Sequence, residues 1–310
     1  MAKGAETAGR WHRLVDSDLF YSFRRSHITA VAAAVLACIL LAALLSPWIA
    51  PHNPFDVATL DLMNSELPPV WMEGGKPLFL LGTDNQGRDV LSVILYGSRI
   101  SLLVGFCSVL FAMILGVSLG LVSGYVGGFL DAVIMRAADV MLSFPSILVA
   151  LLINGVARGL LPGARGEGVS ILILIFAIGI TTWVQYARTI RGKTMVEKDK
   201  EYVLSARVIG LHPVLIMVRH VLPNVITPVL VIATINLGMA ILTEATLSFL
   251  GVGMPPTQPS LGTLIRIGNE FLFSGIWWVV LFPSVVLVLL VLSVNLLGDW
   301  LRDALNPKLR

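Results

Sequence analysis

The most suggestive chemistry lies between Arg188 and Asn224. Gly192-Lys193-Thr194 has the ending of a phosphate-binding loop, in which backbone N–H groups of a glycine-rich turn cradle phosphates and the lysine reaches them. The first glycine of such a loop would fall at position 187, which is Ala187, and the run leaves a long apolar segment rather than a strand. A nucleotide site is therefore not expected. The HExxH pattern is absent, and the five histidines lack zinc-ligand spacing. Cys38 and Cys107 both sit in apolar runs, where free thiols pack as small hydrophobes. Neither a catalytic group nor a metal or cofactor bound by this chain is expected.

Three polar residues within apolar runs could instead line a route for a solute: Asp139, Asn236 and Glu244. Each has a plainer reading. Asp139 follows Arg136 by three residues, a helical spacing at which the two could pair. Asn236, like Asn295, would face protein rather than lipid. Glu244 could meet an amine in a pathway or stand as a carboxylate exposed to interfacial water. Arg266 and Glu270 could touch an outside partner or form a solvated face.

The elements that must position these residues are membrane spans. Of the 310 residues 56% are hydrophobic and 13% charged, which in a water-soluble fold would leave large apolar patches exposed. The apolar residues fall in runs near 28–50, 100–122, 133–156, 169–187, 225–246 and 276–297. A hydrocarbon core of roughly 30 Å needs about 20 helical residues, so an all-α integral membrane protein with six spans is expected. The first run is too long for a typical signal peptide and lacks a small-residue cleavage site; it reads as a retained anchor. Sixteen of the 22 Lys and Arg residues fall on one side of this arrangement, which places both termini in the cytoplasm. The chain divides into a cytoplasmic tail (1–27), a first span with an outer segment (28–98), a core of spans with a cytoplasmic loop at 188–223 (99–300), and a cytoplasmic tail (301–310).

Local signals refine this picture. Thr83 followed by Gln86 fits a capping box, which would start an outer surface helix ended by Gly97. Gly116, Gly120 and Gly124 share one helical face, where another backbone can approach closely. Pro145, Pro228 and Pro283 fall within spans and predict kinks.

The loop between spans four and five holds "EYVLSARVIGLHPVLIMVRHVLPN", Glu201 to Asn224. Arg188, Arg191, Lys193, Glu197, Lys198, Asp199, Lys200 and Glu201 keep its approach out of lipid. Tyr202, Val203, Ala206, Val208 and Ile209 are compatible with a short amphipathic helix. Gly210 suits its C-terminus, and Pro213 the first turn of a second helix. Ser205, Ala206 and Gly210 offer a small-residue surface. The stretch either packs on its own protein or docks a cytoplasmic partner in the helix-in-groove manner.

It resembles the "EAA" loop of ABC-importer permeases in Ser205-Ala206, Gly210 and Leu222-Pro223, departing from it at Leu204 and His220. "LGTDNQGRDVLSVILYGSRISLLVG" (81–105), "MRAADVMLSFPSILVA" (135–150), "LSFLGVGMPPTQPSLGTLI" (247–265) and "LLGDWLRDALNPKLR" (296–310) are similar to the dipeptide/oligopeptide/nickel permease family, C-type subunit. The resemblance implies a type I importer permease fold in the bacterial inner membrane, paired with a homologous B-type permease. It also implies two ATP-binding subunits carrying ATP and Mg, and a periplasmic or lipoprotein substrate-binding protein. No nucleic acid partner is implied. The expected ATPase-coupling residues are Glu201, Ser205, Ala206, Gly210, Leu222 and Pro223. A self-sufficient channel or secondary transporter is the competing reading; it would carry charged residues well inside several spans, and few are present.

Overall fold

The computed structural model describes Phe23 and residues 26–56, 60–160 and 166–304. Most of the N-terminal tail, Arg165 and the last six residues, all used above for orientation or resemblance, lie outside the described residues. The helices in chain order are α1 (His27–Leu44), α2 (Ser46–Ile49), α3 (Val90–Val126), α4 (Gly128–Leu142), α5 (Ser146–Leu160), α6 (Glu167–Glu197), α7 (Glu201–Val208), α8 (Pro213–Ile216), α9 (Leu222–Val225), α10 (Thr227–Phe249), α11 (Leu261–Glu270) and α12 (Trp278–Ala304). Helices α1, α3, α6, α10 and α12 are each long and apolar enough to cross a bilayer. Helices α4 and α5 meet that requirement only as a pair, bent by 94°. Pro145 sits at that break: without an N–H it cannot continue the ladder of α4, and Ser143 instead closes the helix onto Asp139 and Val140. Pro228 falls in the first turn of α10, where a missing N–H costs nothing. Of these three prolines, only Pro283 lies in a helix interior.

The outer segment departs from expectation at two residues. Thr83 does not cap a helix. Its hydroxyl accepts from the Leu67 N–H at 2.8 Å and donates to the Asn64 carbonyl at 2.6 Å, pinning two loop strands together. The cap is Asp89, whose Oδ2 accepts from the Ser92 N–H (2.8 Å) and hydroxyl (2.6 Å). Gly97 does not end the helix either. α3 runs 37 residues, about 55 Å, so the expected surface helix and the second span are one rod. Gly97 serves closeness: a Cβ there would stand 3.1 Å from the Pro259 carbonyl oxygen.

Gly116, Gly120 and Gly124 of α3 have an equally physical use. They face α6, and a methyl on Gly120 would lie 2.4 Å from the Ala187 carbonyl oxygen and 2.9 Å from its Cα. The two helices, α3 and α6, make the most extensive pairing in the chain. One end of this pair carries a core of Ala112, Leu121, Tyr186, Ile190, Val203, Ala206, Ile216 and Val221, which joins the spans to the loop after α6. At the other end α11 and the start of α12 close over α3, with the Trp278 indole donating to the Thr83 carbonyl at 3.1 Å. There Arg88, 2% exposed, pairs with Asp84 at 2.7 Å and donates to the Pro256 carbonyl at 2.9 Å.

Gly120→Ala is expected to overpack this contact at a cost of about 1–3 kcal/mol. It should lower the temperature at which the detergent-solubilised protein loses monodispersity. Gly192→Ala, at a glycine with nothing within 4 Å of the new Cβ, should leave that temperature unchanged or raise it.

Candidate coupling surface

After α6 the chain turns through Lys198–Lys200 and forms a hairpin of short helices. α7 has Glu201 in its first turn and Arg207 in its last, the charge order that suits the helix dipole. It ends in a Schellman motif: the Gly210 N–H reaches the Arg207 carbonyl at 3.1 Å and the Leu211 N–H the Ala206 carbonyl at 3.2 Å. Gly210 takes φ +82° to do so, a conformation that costs a side-chain-bearing residue about 1–2 kcal/mol. His212 then caps α8 through Nδ1, which accepts from the Val214 N–H at 3.4 Å. Met217–Val221 form a π turn, in which the Leu222 N–H reaches the Met217 carbonyl. Pro223, lacking an N–H, follows at the start of α9.

Tyr202 fastens the hairpin to the spans on both sides. Its hydroxyl donates to Glu197 Oε1 at 2.5 Å, and Asn224 Nδ2 donates to it at 3.0 Å. The same Asn224 nitrogen donates to the His220 carbonyl at 2.8 Å. Glu197 is buried and its second oxygen pairs with Lys200 at 2.9 Å. Lys198 donates to the Gly124 carbonyl at 3.0 Å, and the Arg207 guanidinium lies 5.5 Å from the centre of the Tyr125 ring, so the end of α3 is held as well.

The expected contact residues divide between two faces. Glu201, Ser205, Gly210 and Pro223 are exposed and Leu222 is half-buried. Ala206 is not available to a partner: at 5% exposure it belongs to the core under the hairpin, because Val203 and Ala206, three apart, form the inward stripe of α7. The outward residues that sequence reasoning did not single out for contact are apolar. Val208 is 88% and Ile209 77% exposed, and Leu204, Val214, Leu215 and Val218 are exposed beside them. Their alternation with 203 and 206 was the available signal, but a mostly apolar octet does not say which stripe faces in.

The pathway candidates do not converge. Asp139 lies on the exposed side of α4 and pairs with Arg188 of α6 at 2.7 Å, not with Arg136. A parallel pair, Asp131 with Arg191, ties the start of α4 to α6 at 2.5 and 2.7 Å. Asn236 is buried within α10. Glu244, two helical turns further along, has no exposed surface; it accepts from the Ser101 hydroxyl at 2.8 Å and the Ser248 hydroxyl at 2.7 Å. It is neither an interfacial carboxylate open to water nor open to a solute in this conformation, but a polar tie between α3 and α10. The Ser101 hydroxyl also accepts from the Leu261 N–H at 3.3 Å, extending the tie to α11. Arg266 and Glu270 pair with each other at 3.2 Å on α11. Gly192-Lys193-Thr194 lies inside α6, so its amides are spent on the helix and form no phosphate cradle.

A sequence profile described as "binding-protein-dependent transport system inner membrane component" matches residues 116–310, from the glycine face of α3 through the hairpin to the end. The chain belongs to this family. A second profile, the N-terminal transmembrane domain of oligopeptide transport permease C, matches residues 17–69 of this inner-membrane component. It is 39% identical over 94% of its length to the dipeptide transport system permease protein DppC of Haemophilus influenzae, covering 95% of that protein. It is 40% identical to the DppC of Escherichia coli K12, over 94% of this chain and 93% of that one. The glutathione transport system permease protein GsiD of Pectobacterium atrosepticum is 37% identical, with 94% and 91% covered. Among solved structures, a chain of the MetNI methionine ABC transporter in an inward-facing conformation superimposes with a TM-score of 0.52 at 20% identity, covering 69% of this chain and 97% of that one. That likeness establishes the fold: the all-α importer-permease architecture expected above is the one observed, in a multi-pass inner-membrane component.

Burial and the neighbouring Glu197 carboxylate push the Tyr202 hydroxyl up to about 12, against about 10 for an ordinary tyrosine. The folded protein holds this proton more tightly than the unfolded chain. The stability it contributes is therefore complete below about pH 10 and is lost as pH rises from there to about 12. In a difference ultraviolet titration of wild type against Tyr202→Phe, the phenolate signal of this residue should be missing at about pH 10.5; a full step there would contradict the geometry.

Proposed function

We propose that this chain is the C-type permease subunit of an ATP-driven importer that carries dipeptides, oligopeptides or related small solutes across the bacterial inner membrane by alternating access. The observation that carries the reading is the hairpin itself: an exposed apolar face, centred on Val208 and Ile209, held rigidly at the end of the longest span pair. Such a face is costly in water and suits a groove on a cytoplasmic ATPase. Both termini and the hairpin then lie in the cytoplasm, in keeping with the distribution of basic residues. A homologous B-type permease would pair with this chain across the broad exposed surface of α4 and α5. Two ATPase subunits would hold ATP and Mg, and a substrate-binding protein would deliver cargo outside. Closure of the ATPases on nucleotide would push the hairpin, and the hairpin would tilt α6 and α10. The transport systems named for the relatives support a peptide cargo, with the glutathione system widening it to modified tripeptides.

Two measurements test this. Val208→Asp with Ile209→Asp should abolish co-purification of ATPase subunits from mild detergent while leaving the monodispersity of the permease intact; retained ATPase would sink the docking assignment. Gly210→Val should lower dipeptide uptake about tenfold, because a β-branched residue cannot hold φ +82° without strain. Open space surrounds Gly210, so the defect is conformational, and Gly210→Asn, which tolerates that φ, should retain most uptake.

A further inference from the structure

Deepening the proposed importer reading, on which it rests, we propose that Glu197, Tyr202 and Asn224 form a clasp that makes the hairpin and both flanking spans one lever. None of the three touches solute or nucleotide; they are positioning residues. The hairpin leaves α6 at Glu197 and rejoins the membrane through α9 and α10, so a push on Val208 and Ile209 acts on a loop with two attachments. Through-chain links alone are compliant there. One is the turn Lys198–Lys200, the other a π turn followed by a proline.

The clasp bridges both weak points with one phenol. Tyr202, on the first turn of α7, donates to the last residue of α6 at 2.5 Å and accepts from Asn224 at the root of α10 at 3.0 Å. On the return arm the His220 carbonyl accepts from the Asn224 side chain at 2.8 Å, and it lies 3.4 Å from the Tyr202 hydroxyl, whose proton goes to Glu197. π turns are rare and frequently mark functional sites; here the turn aims a carbonyl at the clasp. Glu197 is buried at 8% exposure and fixed by Lys200, so the anchor side of the joint is itself stiff. Disconnecting Tyr202 would leave the docking face in place and let the spans lag behind it.

The test uses the full complex in proteoliposomes with ATP, the binding protein and a mixture of ¹⁴C-labelled dipeptides, measuring ATPase retention, hydrolysis and uptake. Tyr202→Phe, Asn224→Ala and Glu197→Ala should keep bound ATPase and hydrolysis but take up about tenfold less peptide per ATP, the upper range of coupling lost along a mechanical network. Glu197→Gln, which keeps a carbonyl acceptor for the phenol, should recover most of that ratio. Wild-type uptake per ATP in Tyr202→Phe and Asn224→Ala, with wild type itself active, would overturn the clasp alone. Loss of bound ATPase in these variants would also overturn it, since they would then merely shape the docking face. A wild-type complex that binds no ATPase or moves none of the mixture would bring down the importer reading, and the clasp with it.

Discussion

The close contact between α3 and α6 is the constraint from which the rest of the structure follows. In lipid, helices gain little from hiding apolar surface from one another, so association depends on fit. Gly116, Gly120 and Gly124 remove every side chain that would hold α6 away, and the backbones meet at Ala187 and Arg191. Because the pair is long, it reaches from one set of contacts to the other. One end carries the cover of α11 and the Asp84–Arg88 pair; the other carries the core on which the hairpin sits.

The core at the hairpin end explains how a loop becomes part of a packed unit. Val203 and Ala206 are packed against Tyr186 and Ile190 of α6 and against Ile216 and Val221 on the return arm. The hairpin is therefore a small packed unit continuous with the spans, not a tether. Its opposite face remains apolar and uncovered. The short helix buries one apolar stripe against its own chain and leaves another, with Val208 and Ile209, exposed.

The polar groups inside the spans share a second logic. Asp131, Asp139 and Glu244 are all paired or hydrogen-bonded, but they stiffen different joints. The two aspartates tie α4, which otherwise buries only Ala138, to Arg191 and Arg188 of α6. Glu244 ties α10 to α3, and Ser101 carries the tie on to α11. Polar atoms in this setting connect helices whose apolar contacts would allow sliding.

Much of this was legible before any coordinates. Run lengths, the positions of Pro145 and Gly210, the glycine face of α3 and the helix–glycine–helix form of the hairpin all follow from local rules. These include the thickness of a bilayer, the missing N–H of proline and the left-handed conformation open to glycine. The misreadings share one cause. Thr83 and Asp89 are both competent caps, Gly97 is both a potential breaker and a point of close approach, Asp139 has two arginines within reach, and Ala206 sits on a helix with apolar residues on more than one face. In each case the sequence by itself determined the set of possible partners, because that depends on residue type and spacing. Only the tertiary structure decided among them, because the choice is set by which backbone segment arrives alongside: α6 beside Asp139, the 259–261 turn beside Gly97, and the hairpin-end core beneath Ala206.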